Sequence, residues 1–244
     1  MKSENLLAVC FISLVTSTYA YGLNYTGELK TPYVINISVD PKAATLPEAK
    51  PYIEKATKVI GTRFEVASFE ETLIVKKDGN YQIKSIIPMG SMISTVTPLD
   101  KVVRIGEGKV LNGKPLAQKV VEQRGSNEPP LMALTNDKLN KVFFYRGKEN
   151  VRTEELPSSG LVDIVMLGYL YLGQSVPVKN VTLSAVDAKR PFLNQTLKAT
   201  ETPITFDGQT FPGVKFSRQL TAGEDASLEF WVRKADGVPI RLLI

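Results

Sequence analysis

The sequence predicts a mostly β protein: a strongly curved antiparallel sheet or half-barrel wrapped around one buried apolar helix. Three observations lead there. After Thr62, apolar and β-branched stretches recur at intervals of roughly 8–12 residues. Between them stand Asp78-Gly79, Asn112-Gly113, Asp207-Gly208 and Asp236-Gly237, dipeptides that tolerate the positive φ of a tight hairpin turn. One segment, Leu161 to Leu172, breaks this rhythm and is apolar nearly all round. A helix of that kind must be buried on every side, and a curved sheet is a surface that can wrap it.

The first twenty residues have the layout of an export signal. Lys2 gives a positive start, Leu6 to Val15 is an apolar run, and Thr18-Tyr19-Ala20 supplies small residues for cleavage after Ala20. The run is too short to span a bilayer, so no stable membrane span is expected after its removal. Cys10 follows Leu7-Ala8-Val9 as in a lipidation box, but apolar residues continue to Val15, so it reads as part of the signal core. It is the chain's single cysteine. A processed chain therefore has no thiol, and an exported protein without disulfides must rely on its core. The expected location is the bacterial periplasm.

Residues 21–60 read as an irregular N-terminal segment, punctuated by Pro32, Pro41, Pro47 and Pro51. Within it Tyr33–Val39 suits a strand and Glu48–Ile60 a short helix. Residues 61–244 read as a single antiparallel β domain with one central helix. Its expected strands are Arg63–Val75, Tyr81–Pro88, Met89–Thr97, Val102–Val110, Leu116–Gln123, Lys141–Arg146 and Val151–Leu156. After the helix come Val181–Lys189, Asn194–Thr200, Ile204–Phe206, Thr210–Leu220, Leu228–Arg233 and Pro239–Ile244.

Composition narrows the chemistry. The chain contains no histidine, which removes the commonest general base and metal ligand together. Ser-His-Asp and Cys-His systems are excluded with it. No catalytic residue, metal or cofactor is expected, and the chain reads as a non-enzyme. The net charge is +5, but no Lys/Arg run exceeds two residues. Export removes nucleic acid as a partner, leaving solubility or a mild attraction to anionic headgroups or envelope polymers.

Four residues stand out as ligand-binding candidates: Asp163, Met166, Trp231 and Arg241. A carboxylate in a buried apolar helix is costly unless hydrogen-bonded. Asp163 is therefore either a site residue with a raised pKa or a first-turn acid bonded to unpaired backbone N–H groups. Met166, with Met89, Met92 and Met132, suits an adaptable pocket. Trp231 and Arg241 either stack on a ligand or, for the tryptophan, pack in the core. Glu70-Glu71 and Glu154-Glu155 do not qualify as facing catalytic pairs, since strand neighbours point to opposite faces, and they read as solvated. Gly106-Glu107-Gly108 lacks a phosphate-binding context.

The late chain resembles a bacterial family catalogued as domain of unknown function 3108. The likeness rests on the Asp163-containing segment, on Phe211-Pro212-Gly213-Val214-Lys215-Phe216-Ser217-Arg218, on Phe230-Trp231-Val232 and on Asp236-Gly237-Val238-Pro239-Ile240-Arg241. The resemblance implies a periplasmic protein similar in outline to the lipoprotein carriers, whose curved sheets hold acyl chains. It implies no activity. Two functions follow as expectations. In one, the sheet binds a lipid or other amphipathic ligand. In the other, a structural or regulatory envelope module binds another protein through a sheet edge or face. A cavity between sheet and helix favours the first; a solidly packed interior with an exposed apolar patch favours the second.

Overall fold

The computed structural model describes residues 22–38, 63–88, 100–206, 208–218 and 228–243. The expected export signal, the helix at Glu48–Ile60, the strand at Met89–Thr97, and Met89 and Met92 lie outside them. The described chain is mostly β, as expected. Its strands are β1 (Gly27–Ser38), β2 (Arg63–Val75), β3 (Asn80–Pro88), β4 (Lys101–Leu111), β5 (Lys114–Arg124), β6 (Leu131–Asn136), β7 (Lys141–Arg146) and β8 (Glu149–Glu155). There follow β9 (Val162–Asp163), a 3-10 helix (Ile164–Tyr169), β10 (Val181–Val186), β11 (Pro191–Phe206), β12 (Gln209–Arg218), β13 (Glu229–Arg233) and β14 (Pro239–Leu243).

The strands form one 14-stranded sheet with a fork in it. The main path runs β1-β2-β3-β4-β5-β9-β10-β11-β12-β13-β14, and β6, β7 and β8 branch from β5. One edge of β5 is shared at the fork: Leu116 pairs with Val162 of β9, while Lys119 to Glu122 pair with β6. The sheet is mixed rather than purely antiparallel, because β9 and β10 run parallel. It does not close into a barrel; β1 and β14 end the path with one neighbour each among the described residues.

Turn chemistry placed most hairpins. Asn112 and Gly113 have φ of 52° and 77° and form the two-residue link between β4 and β5. Two positive φ values match a type I′ turn, whose twist suits the flanking strands. Other details differ from the expectation. β1 begins at Gly27 and pairs with β2 along its length. β6 arises between Pro130 and Asp137, where no strand was expected. The stretches at Asn194–Thr200 and Ile204–Phe206 are one strand, β11, because Pro203 sits opposite Pro212, where neither residue has an N–H to give to the ladder.

The central apolar helix over Leu161–Leu172 is not supported. The segment opens as the two-residue strand β9, turns through six residues of 3-10 helix, and continues in tight turns. Its backbone bonds reach back three residues, from Leu172 N to Tyr169 O (3.1 Å) and from Gln174 N to Tyr171 O (3.1 Å). The reason lies in the composition of the segment. Where every position is apolar, no periodicity separates helix from any other path that buries all of them. Gly168 and two tyrosines weaken the helix further. Burial itself is as the composition requires: Leu161, Val162, Met166, Leu167, Tyr169, Leu170, Tyr171 and Leu172 are all at most 3% exposed.

This strap lies against the sheet's inner face and forms the main core with Leu73, Ile83, Leu183, Val214, Phe216 and Phe230. Aromatic rings stack in series, Tyr171 on Phe216 at 5.4 Å and Phe216 on Phe230 at 5.1 Å. A second cluster fills the crook of the fork, where Ala117, Val120, Val142 and Phe144 meet Leu161 and Val186. Leu167 is 3% exposed. Leu167→Ala is expected to cost about 2–5 kcal/mol in denaturant unfolding, through lost transfer energy plus a cavity. A loss below about 1 kcal/mol would remove the strap from the core.

Candidate functional site

Strand alternation brings a set of polar residues onto the buried face. Register alone sets the row: Thr31 opposes Glu71, Glu71 opposes Ser85, Ser85 opposes Arg104, and Arg104 opposes Glu122. One step along the same face lies the apolar row Leu73, Ile83, Gly106 and Val120. The polar row thus runs beside a dry core. Glu71, Ser85 and Glu122 are 5%, 3% and 7% exposed.

Buried carboxylates need donors, and the row supplies them unequally. Glu71 accepts from Ser85 Oγ at 2.5 Å and from the Tyr169 hydroxyl at 2.7 Å. Tyr169 reaches down from the strap, and its hydroxyl also lies 3.2 Å from Thr31 Oγ1 and from the Tyr33 hydroxyl. Burial raises the Glu71 pKa, while the bonds from Ser85 and Tyr169 and the charge of Arg104 pull it back. Burial and the Glu71 charge hold both tyrosines protonated far above the usual phenol range. Glu122 is the opposite case. Burial opposes its charge, but Arg104, Arg124 and Lys189 surround it and hold its pKa below the usual range. Its oxygens lie 2.6 Å from Arg124 Nε and 3.6 Å from both Arg104 Nε and Lys189 Nζ.

Asp163 is the most deeply buried acid, at 0% exposed. Its Oδ1 accepts from Val165 N at 2.9 Å and caps the 3-10 helix, the bland role foreseen for it. Its Oδ2 has no hydrogen-bond partner among the described residues, and neither does the Tyr81 hydroxyl or Arg104 Nε. Burial pushes the Asp163 pKa up to about 6, offset by the Val165 bond and Arg104 and reinforced by Glu71 and Asp187. The packing is close. A Cβ on Gly106 would sit 1.9 Å from Asp163 Oδ2, and one on Gly108 would sit 2.6 Å from the Tyr81 hydroxyl. Those two glycines of β4 let Asp163 and Tyr81 lie flat on the sheet. That is the physical use of Gly106-Glu107-Gly108, which sequence reasoning left without one.

The four candidates do not converge. Asp163 and Met166 are in the interior, both at 0% exposed. Trp231 and Arg241 are on the sheet's opposite face, because β13 buries Phe230 and Val232 and turns Trp231 outward. There the Arg241 guanidinium carbon lies 4.8 Å from the Trp231 ring centroid and Lys215 Nζ lies 5.7 Å from it. The tryptophan is half-buried outside the core. Sequence reasoning missed Glu71, Ser85, Arg104, Glu122 and Tyr169. Glu70 is exposed as expected, but Glu71 is not. The alternation that separates the two was visible; which of them faced inward depended on register.

No family profile, curated protein or solved structure matches the chain.

Asp163 gives the buried acids a pH signature. Asp163 titrates near 6 in the folded chain and near 3.9 when unfolded. The folded state therefore binds the proton more tightly. This contribution to stability is complete below the unfolded value and is lost as pH rises through about 6. A shift of about two pKa units corresponds to roughly 3 kcal/mol. In the Asp163→Asn variant, the gain in unfolding free energy between pH 7 and pH 4 should shrink by an amount of that order, leaving the other carboxyls' share. Parallel pH profiles for the two proteins would contradict the assignment.

Proposed function

We propose that this protein is an exported, non-enzymatic module of the bacterial cell envelope that binds another protein through an edge or face of its sheet. The observation that carries the reading is the filled interior. The side of the sheet where a carrier would hold an acyl chain is occupied by the strap, with Met166, Leu167 and Tyr169 to Leu172 all at most 3% exposed. The buried acids support the same reading. Glu71, Glu122 and Asp163 serve as acceptors, ion-pair partners or caps inside the core, and none is open to a reactant.

Recognition then falls to the outside, and β8 is suited to it. Among the described residues it pairs only with β7, and every residue from Glu149 to Glu155 except Glu154 is exposed. Its outer edge presents backbone N–H and C=O groups to an added strand. Glu149, Arg152, Glu154 and Glu155 discourage pairing with identical or apolar edges. Kinship with the family of unknown function 3108 is part of this proposal; three of the four blocks that suggest it lie on or beside the consecutive strands β12, β13 and β14.

A second reading, an amphipathic ligand, is favoured by one feature. At the fork lies a groove of about 310 Å³ lined by Lys109, Leu111, Leu116, Asp137, Leu156 and Leu161, among others. That is the small end of the range for ligand pockets. Native mass spectrometry of the protein purified without detergent separates the two. The module reading expects the bare chain mass. A stoichiometric lipid adduct would overturn it in favour of a carrier.

A further inference from the structure

We propose that the outer face of strands β11 to β14 docks on an anionic membrane surface. Strands β12 and β13 are rich in aromatic residues on both sides. Their inner side is spent on the core, where Val214, Phe216, Phe230 and Val232 are at most 2% exposed. Their outer side carries Phe211 and Trp231, both half-buried, in a position where strands usually carry polar residues. The pairing of Thr200 with Lys215 and of Ile204 with Phe211 fixes the outward set on β11. By alternation Phe206 belongs to that face at the hairpin tip, and it is 58% exposed.

Cations are interleaved with these rings. The Arg233 guanidinium carbon lies 5.7 Å from the Phe211 ring centroid. Lys215, Trp231 and Arg241 stand opposite one another in a single cross-strand row. Two of the three cations are braced from the same face, Lys215 by Glu229 at 3.0 Å and Arg233 by Asp236. Arg241 is exposed and has no carboxylate partner among the described residues. Its guanidinium carbon sits over the indole ring at 4.8 Å, and guanidinium N–H groups suit phosphate oxygens.

Aromatic bodies flanked by long cationic side chains match the boundary between lipid tails and phosphates. The chain's charge of +5 has the sign that anionic headgroups attract, each basic residue near such a surface adding about 1 kcal/mol. A protein partner for this face would need its own acidic patch and would not need an apolar tip at Phe206. The membrane uses both features. Docking by this face leaves the β8 edge for a protein partner, so the inference stands apart from that reading.

Trp231 is the chain's only tryptophan, so its emission reports directly on the face. The full chain is titrated with vesicles of phosphatidylcholine and phosphatidylglycerol in equal parts, and with phosphatidylcholine alone. Anionic vesicles should shift the emission to the blue, with neutral vesicles and inorganic phosphate leaving it unchanged. The Lys215→Gln/Arg241→Gln double variant, which removes two such residues, should need roughly thirtyfold more anionic lipid for the same shift, and high salt should weaken wild-type binding as well. Phe206→Ser, which touches neither the stack nor the core, should also weaken the shift. An unchanged emission with anionic vesicles would overturn the proposal, and so would equal titrations for wild type and the double variant. If the double variant melts well below wild type, Phe206→Ser alone decides: the same titration curve as wild type would overturn the proposal.

Discussion

Burying a carboxylate beside an apolar core costs several kcal/mol unless donors meet it, and this protein buries three, Glu71, Glu122 and Asp163, within the field of the same Arg104. Glu71 is met by Tyr169, at 2.7 Å, from a segment distant in sequence. That bond decides where the strap lies. Tyr169 closes the 3-10 helix, so fixing its hydroxyl fixes the turn that follows, and Leu170, Tyr171 and Leu172 enter the core from there. At the other end Asp163 caps the same helix and joins β9, which bridges β5 and β10. The strap is thus pinned at both ends by acids, with apolar contacts supplying the bulk of the burial energy between them. The polar bonds supply the position.

The same placement explains the fork. Leu161 O accepts from Ala117 N at 2.7 Å and Leu116 pairs with Val162, so the strap's entry takes the first part of β5's edge. β6 can pair only farther along, from Lys119. Two sheets' worth of strands therefore diverge from one strand, and the crook between them is packed by Val142, Phe144, Leu161 and Val186. On the proposed reading, with the described interior filled, recognition falls to the charged edge of β8 and the aromatic and basic face of β11 to β14.

Much of the sheet was legible because hairpins declare themselves locally. Asn112-Gly113 can hardly do anything but turn, and the alternation in Asn80–Pro88 fixes a half-buried strand. The strap was legible as buried but not as a shape, since Leu161 to Leu172 offers no polar stripe to set a period. The polar row was not legible at all. Glu71, Ser85, Arg104 and Glu122 come from four strands, and each alone reads as an ordinary solvent-facing residue. Only the cross-strand register, which depends on the turn lengths between β2 and β5, aligns them. Gly106 held a clue. A glycine inside a β-branched strand signals close approach by something, though not that the visitor is Asp163.

Because the Tyr169–Glu71 bond is the point that positions the strap, a double-mutant cycle across it is the most direct test. Tyr169→Phe removes one hydroxyl and keeps the ring, leaving a buried carboxylate short of a donor. Unfolding free energies of wild type, Tyr169→Phe, Glu71→Gln and the double variant should show a loss of about 1.5–3 kcal/mol for Tyr169→Phe. They should also show a coupling of at least about 1 kcal/mol between the two sites. Additive effects, with a loss below about 0.5 kcal/mol for Tyr169→Phe, would mean that apolar packing alone holds the strap and that the polar row is incidental.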